Sequence, residues 1–147
     1  MAEISRTRVV NAAPQVVWDL LADFGALSSW APNVGHSCIL NHGMSLTGTS
    51  RRVQVGRNTL VQRVIECSAP DLLGYDIEGL PPRAGRVSNR WRLTPAPDGG
   101  TAVTLTSTVK IGNNPAARLA ERALCRMMAT QSDAMLDGLA ARLEVHS

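Results

Sequence analysis

A run of strand-like segments followed by one long helical segment makes up most of the sequence. Six segments alternate between apolar and polar residues or are rich in β-branched residues: 34–41, 48–55, 59–68, 72–79, 86–95 and 101–111. Turn-forming residues fill the intervals, as in Pro97-Asp98-Gly99-Gly100. Because a parallel pair needs a long crossover and an antiparallel pair does not, these short connections predict an antiparallel meander.

Helical segments flank this meander. Residues 3–10 predict a first strand, Pro14 opens a helix, and residues 23–30 predict a short second helix or turn. Asn114 and Pro115 then form a helix start that is expected to run to about residue 143. Mostly apolar residues of this helix recur at helical spacing: Ala120, Leu124, Met127, Met128, Gln131, Met135 and Leu139. The prediction is a single α+β domain over residues 1–147.

Composition excludes several classes of protein. The chain is 44% hydrophobic, yet it has no apolar run of the roughly 20 residues that span a bilayer. No secretion signal is visible at the N-terminus, and three widely spaced cysteines predict neither a disulfide framework nor a metal site. The net charge is +3 without a long basic block, so no nucleic-acid partner is expected. We expect a cytoplasmic monomer or homodimer that has no cofactor and no integral membrane contact.

Alternation within the strands predicts which side chains face the core. The last three strands alternate cleanly, with these residues on the covered face: Leu73, Tyr75, Ile77, Val87, Asn89, Trp91, Leu93, Val103, Leu105, Ser107, Val109 and Ile111. In the third strand Arg51 and Val53 share the apolar side. The remaining strands are ambiguous, since Gln62 competes with Arg63, and His36 competes with Ser37, for the covered face.

The covered face therefore carries several polar side chains: His36, Arg51, Gln62, Tyr75, Asn89 and Ser107. Burying an amide or hydroxyl without a partner costs roughly 2–7 kcal/mol. These groups therefore need hydrogen-bond partners, which can be one another, water or a ligand. An apolar cavity with a few convergent polar groups is typical of a small-molecule site.

Short motifs in a fixed order carry a resemblance to a known superfamily. They are Pro14-x-x-Val17-Trp18-Asp19-Leu20-Leu21, Asp23-Phe24 through Trp30-x-Pro32, Gly48-x-x-Arg51, Leu60-Val61-Gln62-Arg63-Val64, Leu73-Gly74-Tyr75-Asp76-Ile77 and Gly100-Thr101. Over about residues 3–143 the chain resembles the polyketide cyclase/dehydrase, START-like (SRPBCC, birch-pollen-allergen-like) superfamily. The resemblance implies a helix-grip fold, in which a curved seven-stranded antiparallel sheet wraps around the long C-terminal helix, with two short helices after the first strand.

The resemblance implies a range of functions and does not single out one of them. Members bind lipids, sterols, polyketides, flavonoids or plant hormones between sheet and helix, and some catalyse aromatic ring closure or dehydration. The layout also resembles the abscisic acid receptors, whose inward polar and aromatic positions fall at His36, Gln62 and Tyr75. No Ser-Gly-Leu-Pro gate follows Val55, so the sequence does not predict hormone sensing through a closing gate.

The leading hypothesis is a binding protein that holds a small hydrophobic molecule, such as a lipid, isoprenoid or polyketide, between sheet and C-terminal helix, with transport and sequestration as candidate roles. The expected ligand-binding residues are His36, Arg51, Val53, Gln62, Tyr75, Ile77, Asn89, Trp91, Leu124, Met128 and Gln131. Arg51 is a candidate clamp for a carboxylate or enolate oxygen. The alternative is a cyclase or dehydratase in which His36 or Tyr75 transfers protons. Each of these polar residues can also be a core group whose hydrogen bonds are satisfied by its neighbours. A separate alternative is a binding site for phosphate or an acidic partner on the outer face of the sheet, formed by Arg52, Arg90 and Arg92.

Overall fold

The alternating segments form one curved antiparallel sheet in the order β1-β7-β6-β5-β4-β3-β2. The computed structural model describes residues 1–144. Its strands are β1 (Ala2–Val10), β2 (His36–Asn41), β3 (Ser50–Val55), β4 (Asn58–Ser68), β5 (Leu72–Glu78), β6 (Arg86–Pro95) and β7 (Thr101–Lys110). The predicted meander and first strand are confirmed, with small shifts at their ends.

Two α-helices and a six-residue 3-10 helix accompany the sheet, and two three-residue 3-10 turns, Pro82–Ala84 and Pro97–Gly99, lie in its connections. Helix α1 (Pro14–Ala22) is followed directly by the 3-10 helix Phe24–Ser29, and α2 (Pro115–Glu144) is the long C-terminal helix. The Asn114 side chain caps α2, because its Oδ1 accepts a hydrogen bond of 2.7 Å from the Ala117 N–H. This arrangement is the predicted helix-grip fold. Among residues 1–144, no helix has the length and apolarity needed to cross a membrane.

The helices cover one face of the sheet unevenly. Helix α2 packs mainly against β1 and β7, while the 3-10 helix packs against β2 and β3. At the β1 edge, α2 is also held by ion pairs of Arg6 with Asp133 and of Arg8 with Asp137. The inner faces of β4, β5 and β6 lie between these two contacts, and this is where the sheet and α2 can enclose space.

The placement of His36 on the covered face is wrong. Ser37 pairs with Val53 and Ile39 pairs with Arg51, and directly opposed residues share a face, so His36 lies on the outer side. Strand β2 is a short edge strand that is only partly buried, so its alternation is a weak signal. Ser37 can face inward because its hydroxyl donates to the Gly25 carbonyl at 2.8 Å and accepts from the Ser28 N–H at 2.9 Å.

The inward face of α2 also differs from the predicted one. Ala120 and Met127 are exposed, whereas Glu121 and Ser132 are buried beside Cys125 and Leu136. Glu121 can be buried because its carboxylate accepts the Ile111 N–H at 2.7 Å and pairs with the Met1 ammonium at 2.9 Å. A carboxylate with partners does not carry the full cost of desolvation, so charge alone is a poor guide to exposure.

Gly138 fixes where α2 meets the segment that follows the 3-10 helix. A Cβ at this position would lie 2.2 Å from the Trp30 carbonyl oxygen and 2.5 Å from Pro32 Cδ. The close approach brings Asn33 to α2, where its Nδ2 donates to Gln131 Oε1 at 2.7 Å. Gly138 therefore sets the geometry of one wall of the space between sheet and helix.

A Gly138→Ala substitution tests this contact. In an ordinary helix the change stabilises by roughly 0.5–1 kcal/mol, but overpacking costs about 1–3 kcal/mol. We expect a net loss in the free energy of unfolding, measured by denaturant titration. Thr130→Ala, at an exposed position of the same helix, is the control and should be neutral or slightly stabilising. A more stable Gly138→Ala variant would contradict the close packing.

Candidate functional site

A cavity of about 70 Å³ lies between the inner face of the sheet and α2. Aliphatic side chains and methionines supply most of its wall, and four amides supply the polar part. The lining residues are Leu27, Asn33, Val34, Val55, Leu60, Gln62, Ile77, Leu80, Asn89, Met128, Gln131 and Met135. None of these side chains titrates near neutral pH.

The residues expected to bind a ligand fall into three groups. Five line the cavity: Gln62, Ile77, Asn89, Met128 and Gln131. Four are buried in the core without lining it: Arg51, Val53, Tyr75 and Trp91. Leu124 is half-buried on α2, and His36 is exposed on the opposite face of the sheet. Two other predicted polar residues, Arg51 and Tyr75, therefore lie behind the cavity wall and bond to residues that line it.

Arg51 is the central member of this second layer. It is only 3% exposed, and its Nε donates to Gln62 Oε1 at 2.7 Å while its Nη1 donates to the Phe24 carbonyl at 2.9 Å. Its guanidinium carbon lies 3.7 Å from the centre of the Phe24 ring and 4.9 Å from that of Tyr75. Aromatic faces attract a cation, so the two rings partly replace the water that Arg51 has lost.

No carboxylate pairs with Arg51 among residues 1–144. Desolvation by burial lowers the pKa of Arg51 to about 10, and the Tyr75 hydroxyl partly opposes this shift. A lowered arginine pKa means that the cation is less stable here than in water. The site therefore holds a buried positive charge with neutral partners only.

Tyr75 anchors a second set of buried hydrogen bonds. Its hydroxyl accepts from Trp91 Nε1 at 3.1 Å and, more weakly, from Asn89 Nδ2 at 3.5 Å. Ser107 Oγ in turn donates to Asn89 Oδ1 at 2.6 Å. The Tyr75 ring also contacts Phe24 edge-on, with ring centres 5.7 Å apart. These bonds satisfy the polar groups that the strands place on the covered face and fix the orientation of Asn89 at the cavity.

Two of the four cavity amides, Gln62 and Gln131, have their oxygens committed and their N–H groups available. Gln62 Oε1 accepts from Arg51, and Gln131 Oε1 accepts from Asn33. The Nε2 groups of Gln62 and Gln131 make no hydrogen bond within the described part of the chain. Asn33 Oδ1 is buried and has no partner there. The wall thus offers two donors and one acceptor, which suits a ligand with a carbonyl or hydroxyl oxygen.

Sequence reasoning missed several residues of the wall. Asn33 lies in the connection after the 3-10 helix, and no pattern in the sequence marks it. Leu80 is an apolar residue in a turn, between Gly79 and Pro81, and this unusual setting was a usable signal. Val55 and Leu60 flank the turn between β3 and β4, where alternation is hard to assign.

The three arginines predicted on the outer face of the sheet differ in whether they have an acidic partner. Arg90 pairs with Glu66 at 2.5 Å, whereas Arg52 and Arg92 are exposed and form no ion pair within residues 1–144. One of the three charges is therefore already balanced. The outer face does not form a cluster of free cations.

Comparisons with known proteins agree with this architecture. The family model for polyketide cyclase/dehydrase and lipid transport matches residues 1–144. No curated protein gives a significant match to the sequence. The structure resembles the Zhui aromatase/cyclase from Streptomyces sp. R1128, with a TM-score of 0.79 and 22% identity over 97% of this chain and 93% of that one.

Two further solved structures have the same fold. A START superfamily protein from Mycobacterium smegmatis has a TM-score of 0.78 and 15% identity, covering 99% of both chains. Ara h 8.0201 has a TM-score of 0.69 and 15% identity over 95% of this chain and 98% of its own. At these identities the likeness shows the fold, and the family model shows the family. The chain belongs to the polyketide cyclase/dehydrase and lipid transport family.

Proposed function

We propose that the chain binds a small hydrophobic molecule, carrying at least one oxygen, in the cavity between the sheet and α2. The observation that supports this is an apolar wall with free amide donors, backed by a buried cation that has no carboxylate partner. Apolar area gives about 25 cal/mol per Å² buried, while the amides orient the ligand oxygen. A lipid, an isoprenoid and a polyketide all have this chemistry.

Binding requires the cavity to widen. Its volume of about 70 Å³ is well below the roughly 300–1,000 Å³ of sites for drug-sized ligands. Met128 and Met135 can change shape at low cost because methionine is unbranched and flexible. The Asn33–Gln131 hydrogen bond joins α2 to the facing connection, and its opening would separate these two walls.

Arg51 would act from behind Gln62. A ligand carboxylate or enolate oxygen that displaces Gln62 Oε1 becomes the acceptor for Arg51 Nε, and it brings the negative charge that the guanidinium lacks. Such an exchange is favourable because charge-assisted hydrogen bonds are stronger than neutral ones and a buried site has a low dielectric constant. The proposal therefore favours ligands with an acidic or enolisable oxygen.

A cyclase or dehydratase using the same cavity is the second candidate. The similarity of fold to an aromatase/cyclase favours it, and Arg51 could stabilise an enolate. Acid–base chemistry by the predicted residues is less favoured, since His36 lies on the outer face and the Tyr75 hydroxyl is fully buried among Trp91 and Asn89. In an enzyme, Tyr75→Phe should lose turnover while retaining ligand binding.

A matched pair of fluorescent probes tests the role of Arg51. Anilinonaphthalene sulfonate and phenylnaphthylamine share a ring system, but only the first carries an anion. In Arg51→Met we expect affinity for the sulfonate to fall by about ten-fold or more, the range for loss of a charged hydrogen bond of 1.5–3 kcal/mol. Affinity for the neutral probe should change little. Fluorescence titration measures both.

The controls separate binding from folding. Arg51→Met removes two hydrogen bonds, which destabilises the fold, and it removes a buried charge, which stabilises the fold. Because the two effects oppose each other, the free energy of unfolding should change by less than about 2 kcal/mol. The exposed Arg52→Met is the matched control and should leave both affinities unchanged. Equal losses for the two probes in Arg51→Met would show that Arg51 only shapes the core.

Met128→Ala tests whether the cavity limits the size of the ligand. Truncation of a partly buried methionine should lower the free energy of unfolding by about 1–2 kcal/mol, below the range for full burial. It should also raise affinity for the neutral probe, because less rearrangement is needed. Met127→Ala, one residue away but exposed, should do neither. Unchanged affinity in Met128→Ala, with the expected loss in stability, would place probe binding elsewhere.

A further inference from the structure

The first half of α2 presents an exposed face that nothing in the described structure covers. Leu119, Ala123 and Met127 recur at intervals of four and form an apolar row, in which Leu119 is 69% and Met127 66% exposed. Arg118, Arg122 and Arg126 form a parallel row one residue earlier in the sequence. The two rows lie side by side along the helix axis, since adjacent residues in a helix are about 100° apart.

This face carries unbalanced positive charge. None of the three arginine side chains forms an ion pair within residues 1–144. Between Gly112 and Ser132 the only carboxylate is Glu121, which is buried and already bound to Ile111 and Met1. Like charges four residues apart on a helix repel each other. An anionic surface would relieve this repulsion.

The apolar row is also close in sequence to the wall of the cavity. Leu124 and Met128 directly follow Ala123 and Met127, they are half-buried, and Met128 lines the cavity. About a quarter of a helical turn therefore separates Met127 in solvent from Met128 in the cavity wall.

We propose that this face of α2 docks on an anionic lipid bilayer, with the helix parallel to the surface. Leu119 and Met127 would enter the boundary between headgroups and acyl chains, while Arg118, Arg122 and Arg126 pair with lipid phosphates. Basic and apolar rows that run together along one helix fit the flat, layered chemistry of a bilayer surface. Arginine suits phosphate because its planar group can donate two parallel hydrogen bonds. The docking does not depend on which molecule occupies the cavity.

Vesicle flotation of the full chain tests this proposal. The protein should float with vesicles of phosphatidylcholine and phosphatidylglycerol at low salt, and not with phosphatidylcholine alone. In the double variant Arg122→Gln/Arg126→Gln, partitioning should fall roughly thirty-fold, since each basic residue near such a surface contributes about five-fold. Leu119→Gln/Met127→Gln should remove the part of the binding that persists at high salt.

The matched control is Arg52→Gln/Arg92→Gln, which has the same net charge but changes exposed arginines on the outer face of the sheet. It should partition nearly as the parent protein does. Equal losses in the two arginine double variants would reduce the effect to net charge and overturn the proposal. So would an absence of binding to anionic vesicles, or self-association that the α2 variants abolish, which would assign the face to a second copy of the chain. All changed side chains are exposed, so the variants should fold, which the thermal midpoint checks.

Discussion

The structure depends on a mismatch between a wide apolar sheet face and the single long helix available to cover it. Seven strands present one inner face, and α2 packs mainly on the β1 and β7 side of it. The 3-10 helix covers the β2 and β3 side. The middle strands lie between the two, and at one end of this gap Gly138 allows α2 to approach Trp30 and Pro32 closely. A cavity between sheet and helix follows from this division of the face.

The buried polar residues of β3, β4 and β6 make that cavity more than a packing defect. Arg51 is buried against two aromatic rings and neutral acceptors, and its pKa of about 10 implies a cost of about 3 kcal/mol for holding the charge there. A core built for stability alone has no need of such a residue, since apolar replacements of buried charges are often neutral or stabilising. In the proposed function, the cation and the cavity amides receive the oxygen of an incoming ligand.

Most of the fold could be predicted from the sequence because its signals are local and repeated. Strands β5, β6 and β7 alternate cleanly, so the burial of Tyr75, Asn89 and Trp91 follows from register alone. The prediction that His36 faces the core was wrong because both faces of an edge strand are exposed to solvent, so its alternation is a weak signal. Ser37 takes the inward position because its hydroxyl has hydrogen-bond partners there. Asn33 and Glu121 could not be predicted, since their burial depends on partners distant in sequence.

Native mass spectrometry of the protein purified without detergent can establish whether this cavity holds a hydrophobic molecule. We expect a co-purifying small molecule whose mass is lost on denaturation. The same molecule should be missing from a Val55→Trp variant, in which the larger side chain fills the cavity beside Leu60. A folded parent protein that carries no small molecule and takes up none from lipid, isoprenoid and polyketide mixtures would contradict the proposed function.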